Sequence, residues 1–208
     1  RYDFDRPVKG LLFSTSGWTF PAQLGSGRGF NVWPRKESVP IWKKTAGPDG
    51  KERTVLSFDG KENVVALTNR AMPTGPFTVE LWIKPEAKGT GMALFIDASG
   101  ITLSLNSRLQ PEFLRHGHIA PASVRSPEPV SAGKWTHIAA VYDGKSLQLW
   151  QNGRKTAEAS APVCTNPINS VSRIGNTRDL DKGFQGEMAG FSLEGAVRTS
   201  GSFRLLKR

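Results

Sequence analysis

The sequence predicts an all-β domain, a sandwich of two antiparallel sheets. Three observations carry this. Short runs alternate apolar and polar residues with the period of two that a half-buried strand requires. Gly, Pro, Asn and Asp separate these runs, and Asp143-Gly144 and Asn152-Gly153 are dipeptides that accept positive φ at tight hairpin turns. No long segment repeats at 3.6 residues, so helix content should be low.

The elements follow in chain order. Residues 1–53 read as an irregular N-terminal segment packed on the sandwich, rich in Gly, Pro, Lys and Arg, with Trp18, Trp33 and Trp42 as its anchors. Gly25-Ser26-Gly27-Arg28-Gly29 looks like a phosphate cradle, but no helix follows to supply the anion-binding N–H groups, so it reads as a loop. The jelly-roll portion spans 54–208. Thr54–Phe58 and Asn63–Leu67 flank the turn Asp59-Gly60-Lys61-Glu62. In Phe77–Lys84, Phe77, Val79, Leu81 and Ile83 share one face, and Thr78, Glu80, Trp82 and Lys84 the other. Pro85 should stop that strand. Met92–Ile96 and Ile101–Leu105 surround a turn at Asp97-Ala98-Ser99-Gly100, and Glu112–Ile119 forms a weaker strand. Trp135–Tyr142, Leu147–Gln151 and Lys155–Ala159, joined by the two positive-φ turns, make a three-stranded meander. Val171–Gly175 and Gly186–Leu193 complete the set.

At 208 residues and 22.7 kDa, the chain suits one large β domain, or a core domain with an added segment. A chain this long buries enough surface to need no metal or disulfide staple. Cys164 is the only cysteine, which excludes an internal disulfide and disfavours a disulfide-stapled ectodomain. Beginning at Arg1 rather than Met, the chain is expected to be a mature or excised piece. No apolar run approaches the ~20 residues that span a bilayer. The net charge of +10 divides evenly: 10 basic and 5 acidic residues in 1–53, 18 and 13 in the rest. Such a balance attracts polyanions, acidic polysaccharide among them, or serves only as a solvated surface. A nucleic-acid partner is not expected, since no recognisable module interleaves aromatics with basics.

Five stretches together resemble a known family. They are VLSFDGKENVVAL at Val55–Leu67, FTVELWIKPE at Phe77–Glu86, GKWTHIAAVYDGKSLQLWQNGRKTAEA at Gly133–Ala159, SRIGNT at Ser172–Thr177 and FQGEMAGFSL at Phe184–Leu193. In order and spacing they resemble the LamG-like jelly roll of the concanavalin A-like lectin/glucanase superfamily, over about residues 54–195. The resemblance implies two stacked antiparallel sheets, one of them concave, and an extracellular setting: secreted, periplasmic or cell-surface. Many members bind sugars and many have no demonstrated ligand, and a fold alone does not settle function.

The resemblance also frames the chemistry. Glucanases of the superfamily place acids on one strand as Glu-x-Asp-x-x-Glu, and this chain has no such motif, so a catalytic carboxylate pair is not expected. Many LamG-like domains hold calcium between the opening Phe-Asp-Gly turn and an Asp of the closing strand. Asp59 fits the opening position, but Ala189 stands where the closing acid is expected, and the competing reading makes Asp59 a plain turn residue. His116 and His118 fall on one strand face and make at most half a zinc site. Sugars stack on exposed aromatics. Trp82 and Trp150 oppose their strands' aliphatic residues and are candidates, with Arg115 and His118 as polar contacts. The alternative is that the N-terminal segment covers both tryptophans. Three functions therefore compete: a non-catalytic glycan-binding or accessory module beside other domains of a secreted, bacterial protein; a structural or protein-interaction domain without a sugar ligand; and a polysaccharide-degrading enzyme with an unrecognised site.

Overall fold

The computed structural model describes residues 11–12, 22–24, 39–67, 72–73, 75–86, 91–116, 121–162 and 172–205. Trp18, Trp33, His118 and Cys164 lie outside them. Two antiparallel sheets face one another. The eight-stranded sheet runs β1 (Leu11–Leu12), β2 (Ala22–Leu24), β5 (Val65–Leu67), β14 (Ser172–Ile174), β7 (Met92–Asp97), β8 (Ile101–Leu105), β9 (Pro111–Arg115), β10 (Ala122–Arg125). The seven-stranded sheet runs β13 (Arg154–Ser160), β12 (Ser146–Gln151), β11 (Thr136–Tyr142), β6 (Phe77–Pro85), β15 (Gln185–Glu194), β4 (Glu52–Asp59), β3 (Ile41–Ala46). Among the described residues the one helical element is a 3₁₀ turn at Ser200–Ser202.

Alternation builds the core. Leu56, Phe77, Leu81, Ile138, Leu149 and Phe191 line the inner face of one sheet, and Val65, Phe95, Leu103, Phe113 and Ile174 that of the other. Aromatic rings bridge the gap. Phe95 stacks on Phe191 at 5.4 Å between centroids, and Phe77 meets Phe113 edge-on at 6.2 Å. Gly175, after β14, has φ +85, and a Cβ there would strike the Phe58 ring. Only glycine fits that combination.

Strand β3 falls inside the segment read from sequence as irregular. It pairs with β4 from Ile41↔Ser57 to Ala46↔Glu52, with Trp42 against the core. Its exposed Lys43 and Lys44 suit a sheet edge, where charge discourages pairing with other chains. Trp135 holds the far end of this edge by donating from Nε1 to the Ala46 carbonyl at 2.8 Å.

The meander forms as expected, with one refinement. Asn152 and Gly153 both have positive φ (49 and 80), whereas at the other turn Gly144 alone does, at 96. Asp143 organises that turn through its side chain. Oδ1 accepts from Lys145 N at 2.8 Å and Ser146 N at 2.7 Å, and Oδ2 accepts from Ser146 Oγ at 2.9 Å. Burial pushes this carboxyl up, but the N–H groups and the hydroxyl outweigh it and hold it below its ordinary value of 3.8. A carboxyl lowered in the folded state stabilises fully above its unfolded value, and that contribution is lost as the pH falls through the folded value. Asp143→Ala should therefore cost about 2 kcal/mol at neutral pH, read as a lower denaturant midpoint at unchanged slope. The gap to the wild type should close as the pH falls below 3.8. A gap independent of pH would show that the ionised carboxylate does not hold the turn.

Candidate functional site

A two-sheet sandwich offers two outer faces. On the seven-stranded sheet, Glu80 and Trp82 of β6 point away from the core, as does Trp150 of β12. The register sets His137 and Ala189 on either side of Trp82, and Ala139 between Glu80 and Trp150. The C-terminal residues cross this face. Thr78 Oγ1 donates to the Ala196 carbonyl at 2.7 Å and accepts from Arg198 N at 3.0 Å. The buried Glu80 carboxylate accepts from Arg204 N at 2.8 Å and Leu205 N at 3.0 Å, and His137 Nε2 lies 3.0 Å from its Oε2. Trp82 Nε1 donates to the Leu205 carbonyl at 3.1 Å. Phe203 is fully buried, its ring 5.3 Å from His137 and 5.5 Å from Trp150. Arg198 and Arg204 both pair with Glu194, whose carboxyl burial pushes up and these two cations pull below its ordinary value.

Trp82 and Trp150 thus share one outer face, half-buried, and the segment over them is C-terminal. Arg115 goes elsewhere. It lies two residues from Phe113 and shares its face, so it enters the sandwich, 2% exposed, its guanidinium 3.7 Å from the Tyr142 ring centroid.

The outer face of the eight-stranded sheet has a different character. Register aligns Ala66, Arg173, Ile96, Thr102, Leu114 and Ser123 in one row across β5, β14, β7, β8, β9 and β10. Ser104, Glu112 and Arg125 form a second row. These side chains are half-buried or exposed, mixing hydroxyls with small apolar groups. Glu112 Oε1 accepts from Arg125 Nε at 2.6 Å and Asn106 Nδ2 at 3.1 Å. Arg173 is the residue that sequence reading passed over. Its signal was its place between Ser172 and Ile174 in an alternating strand.

The calcium site that the family resemblance implies does not fit these residues. Asp59 Oδ1 already accepts from Lys61 N at 2.9 Å and Asn63 N at 3.3 Å. Gln185, not Ala189, lies opposite Asp59, and Ala189 sits farther along β15 beside Trp82. Among the described residues no three His, Cys, Asp or Glu side chains gather where an ion would sit.

Comparison with known proteins agrees with this architecture. A family model described as the concanavalin A-like lectin/glucanases superfamily matches residues 59–201. Domain 4 of AbnA, a GH43 extracellular arabinanase from Geobacillus stearothermophilus, was solved with arabinotriose. It is similar over 100% of this chain and 96% of its own, at 19% identity and a TM-score of 0.75. A SAP-like pentraxin from Limulus polyphemus is similar over 69% of this chain and 76% of its own, at 16% identity and a TM-score of 0.56. The binding domain of botulinum neurotoxin serotype G is similar over 96% of this chain and 48% of its own, at 14% identity and a TM-score of 0.64. At these identities the likeness is one of fold. No curated protein sequence matches the chain.

The covering segment has a measurable consequence. Phe203→Ala should cost about 3 kcal/mol, as buried aromatic truncations do. It should also shift tryptophan emission to the red and raise iodide quenching as Trp82 and Trp150 meet water. Unchanged quenching at the same destabilisation would show that Phe203 does not shield them.

Proposed function

The chain belongs to the concanavalin A-like lectin/glucanases superfamily, and from that membership we propose that it is a non-catalytic carbohydrate-binding module of an exported protein. Its contact surface is the outer face of the eight-stranded sheet. The observation that carries this reading is the likeness, over the whole chain, to a domain that holds arabinotriose. The chemistry of the face supports it. A saccharide offers hydroxyls and C–H surfaces in alternation. The rows of Thr102, Ser104, Ser123, Ile96 and Leu114 present hydroxyl donors and acceptors beside apolar patches. The disposition of the acids supports a role without catalysis. Glu80 carries the C-terminal segment, Glu187 is held by Lys43 and Lys84, and Glu112 by Arg125. Each is committed to a structural partner. The net charge of +10 favours acidic polysaccharide over neutral glycan through long-range attraction. The setting follows by analogy with a domain of an extracellular enzyme. A second reading, a structural domain with no sugar ligand, is favoured by the covered Trp82 and Trp150, which offer no open stacking platform.

Affinity electrophoresis through gels containing arabinan, xylan or pectin separates the two. The folded protein should be retarded by at least one of them. Leu114→Lys, a long charged side chain in the middle of the face, should weaken retardation about tenfold with its unfolding midpoint unchanged. Retardation unaffected by Leu114→Lys would remove this face from the site. Mobility unchanged in every gel would favour the structural domain.

A further inference from the structure

Arg173 occupies an unusual position. It is the middle residue of β14, an interior strand flanked by β5 and β7. Ser172 and Ile174 are buried on the core side, so alternation turns Arg173 to the outer face, between Ala66 and Ile96. Its side chain is half-buried, and Nε is buried with no hydrogen-bond partner. Among the described residues no carboxylate forms an ion pair with it. Burial disfavours its charged form, and the like charge of Arg178 adds to this, with Asp179 opposing.

An arginine has five N–H donors in a planar fork and no way to neutralise itself. Set into a sheet without an acceptor, it loses hydration and gains little in return. Proteins leave few buried donors unsatisfied, and those they leave need a reason. The neighbours suggest what the reason is. Ala66, opposite Arg173 on β5, carries a short side chain. Ile96 gives an apolar wall, and the Thr102 hydroxyl follows in the same row one strand on. The complement of a planar fork is a planar carboxylate, taken through two parallel N–H···O bonds.

We propose that Arg173 reads the carboxylate of a uronic acid, so that the ligands of this face are acidic oligosaccharides rather than neutral ones. The proposal rests on the carbohydrate-binding reading above and goes further, assigning a residue and a ligand class. It separates site-specific recognition from the diffuse attraction of a basic protein. Charge spread over the surface also favours an acid over its uncharged ester, but removing any one exposed cation weakens that preference equally, whereas a single fork makes the preference depend on Arg173.

Calorimetric titration with trigalacturonic acid, its methyl ester and arabinotriose tests this. The proteins are the wild type, Arg173→Gln, Arg173→Lys and Lys134→Ala, the last in an exposed loop, each checked for folding by thermal unfolding. The wild type should bind the acid about tenfold more tightly than the ester, a preference of the size one charge-assisted pair supplies. Arg173→Gln should erase that preference and leave ester binding within about twofold. Arg173→Lys keeps the charge but loses the fork, and should retain only part of the preference; it decides the matter if the Gln variant fails to fold. Lys134→Ala should behave as the wild type. Equal binding of acid and ester by the wild type overturns the proposal. So does an equal loss of acid binding in Lys134→Ala and Arg173→Gln. Arabinotriose bound as tightly as the acid overturns the acidic class and leaves the carbohydrate module standing. Failure to bind any of the three overturns the proposal, and removes the carbohydrate module as well if mobility is also unchanged in every polysaccharide gel.

Discussion

The Glu80 carboxylate is the interaction on which the rest of the molecule depends. It stands mid-strand on the outer face of the seven-stranded sheet and is buried there, a position a carboxylate tolerates only with good partners. Those partners come from two distant segments. Arg204 and Leu205 give backbone N–H groups, and His137 of β11 brings its imidazole to the same oxygen as Leu205. The C-terminal segment is therefore fixed to the sheet by a charge-assisted contact, with Phe203 packed alongside over His137 and Trp150. Withdrawing the C-terminal N–H groups leaves the buried carboxylate without compensation, and removing the carboxylate leaves those donors unsatisfied; either costs far more than losing an exposed ion pair. One of the sandwich's two outer faces is thereby committed to holding the fold together.

That commitment is why the proposed contact surface lies on the other sheet. Among the described residues its outer face holds no tryptophan and presents hydroxyls, apolar groups and a guanidinium whose Nε has no hydrogen-bond partner. Two electrostatic scales act on an approaching glycan. The net charge of +10 draws polyanions from a distance and weakens with salt. Arg173 acts at contact, where its fixed fork selects geometry as well as sign.

Much of this was legible in the sequence, because a period of two is a local property. The faces of β6 were read correctly from Phe77 to Lys84, and the meander from its turn residues. The turn chemistry at Asn152-Gly153 needs only positive φ, which the dipeptide declares. What was hidden was relational. Trp82 and Trp150 were placed on the outward side, but that Phe203 and Leu205 would cover them depends on contacts more than fifty residues apart in sequence. Strand β3 was hidden by its lysines, which report a sheet edge and not a core. In β9 the strand was found, but Arg115 shares the parity of Phe113 and so enters the core, where its guanidinium lies over the Tyr142 ring. Arg173 went unremarked because a three-residue strand gives alternation little room to show itself.

Backbone amide chemical shifts followed through a titration with trigalacturonic acid report whether ligand meets the eight-stranded sheet while the tryptophan face stays closed. The largest shifts should fall in β14, β7, β8 and β9, around Arg173, Thr102 and Leu114. Amides of β6, β11 and β12 around Trp82, His137 and Trp150 should stay in place. Shifts concentrated at Trp82, Trp150 and the Phe203–Leu205 segment would contradict this, since ligand would then have displaced the C-terminal segment from the face that Glu80 holds shut.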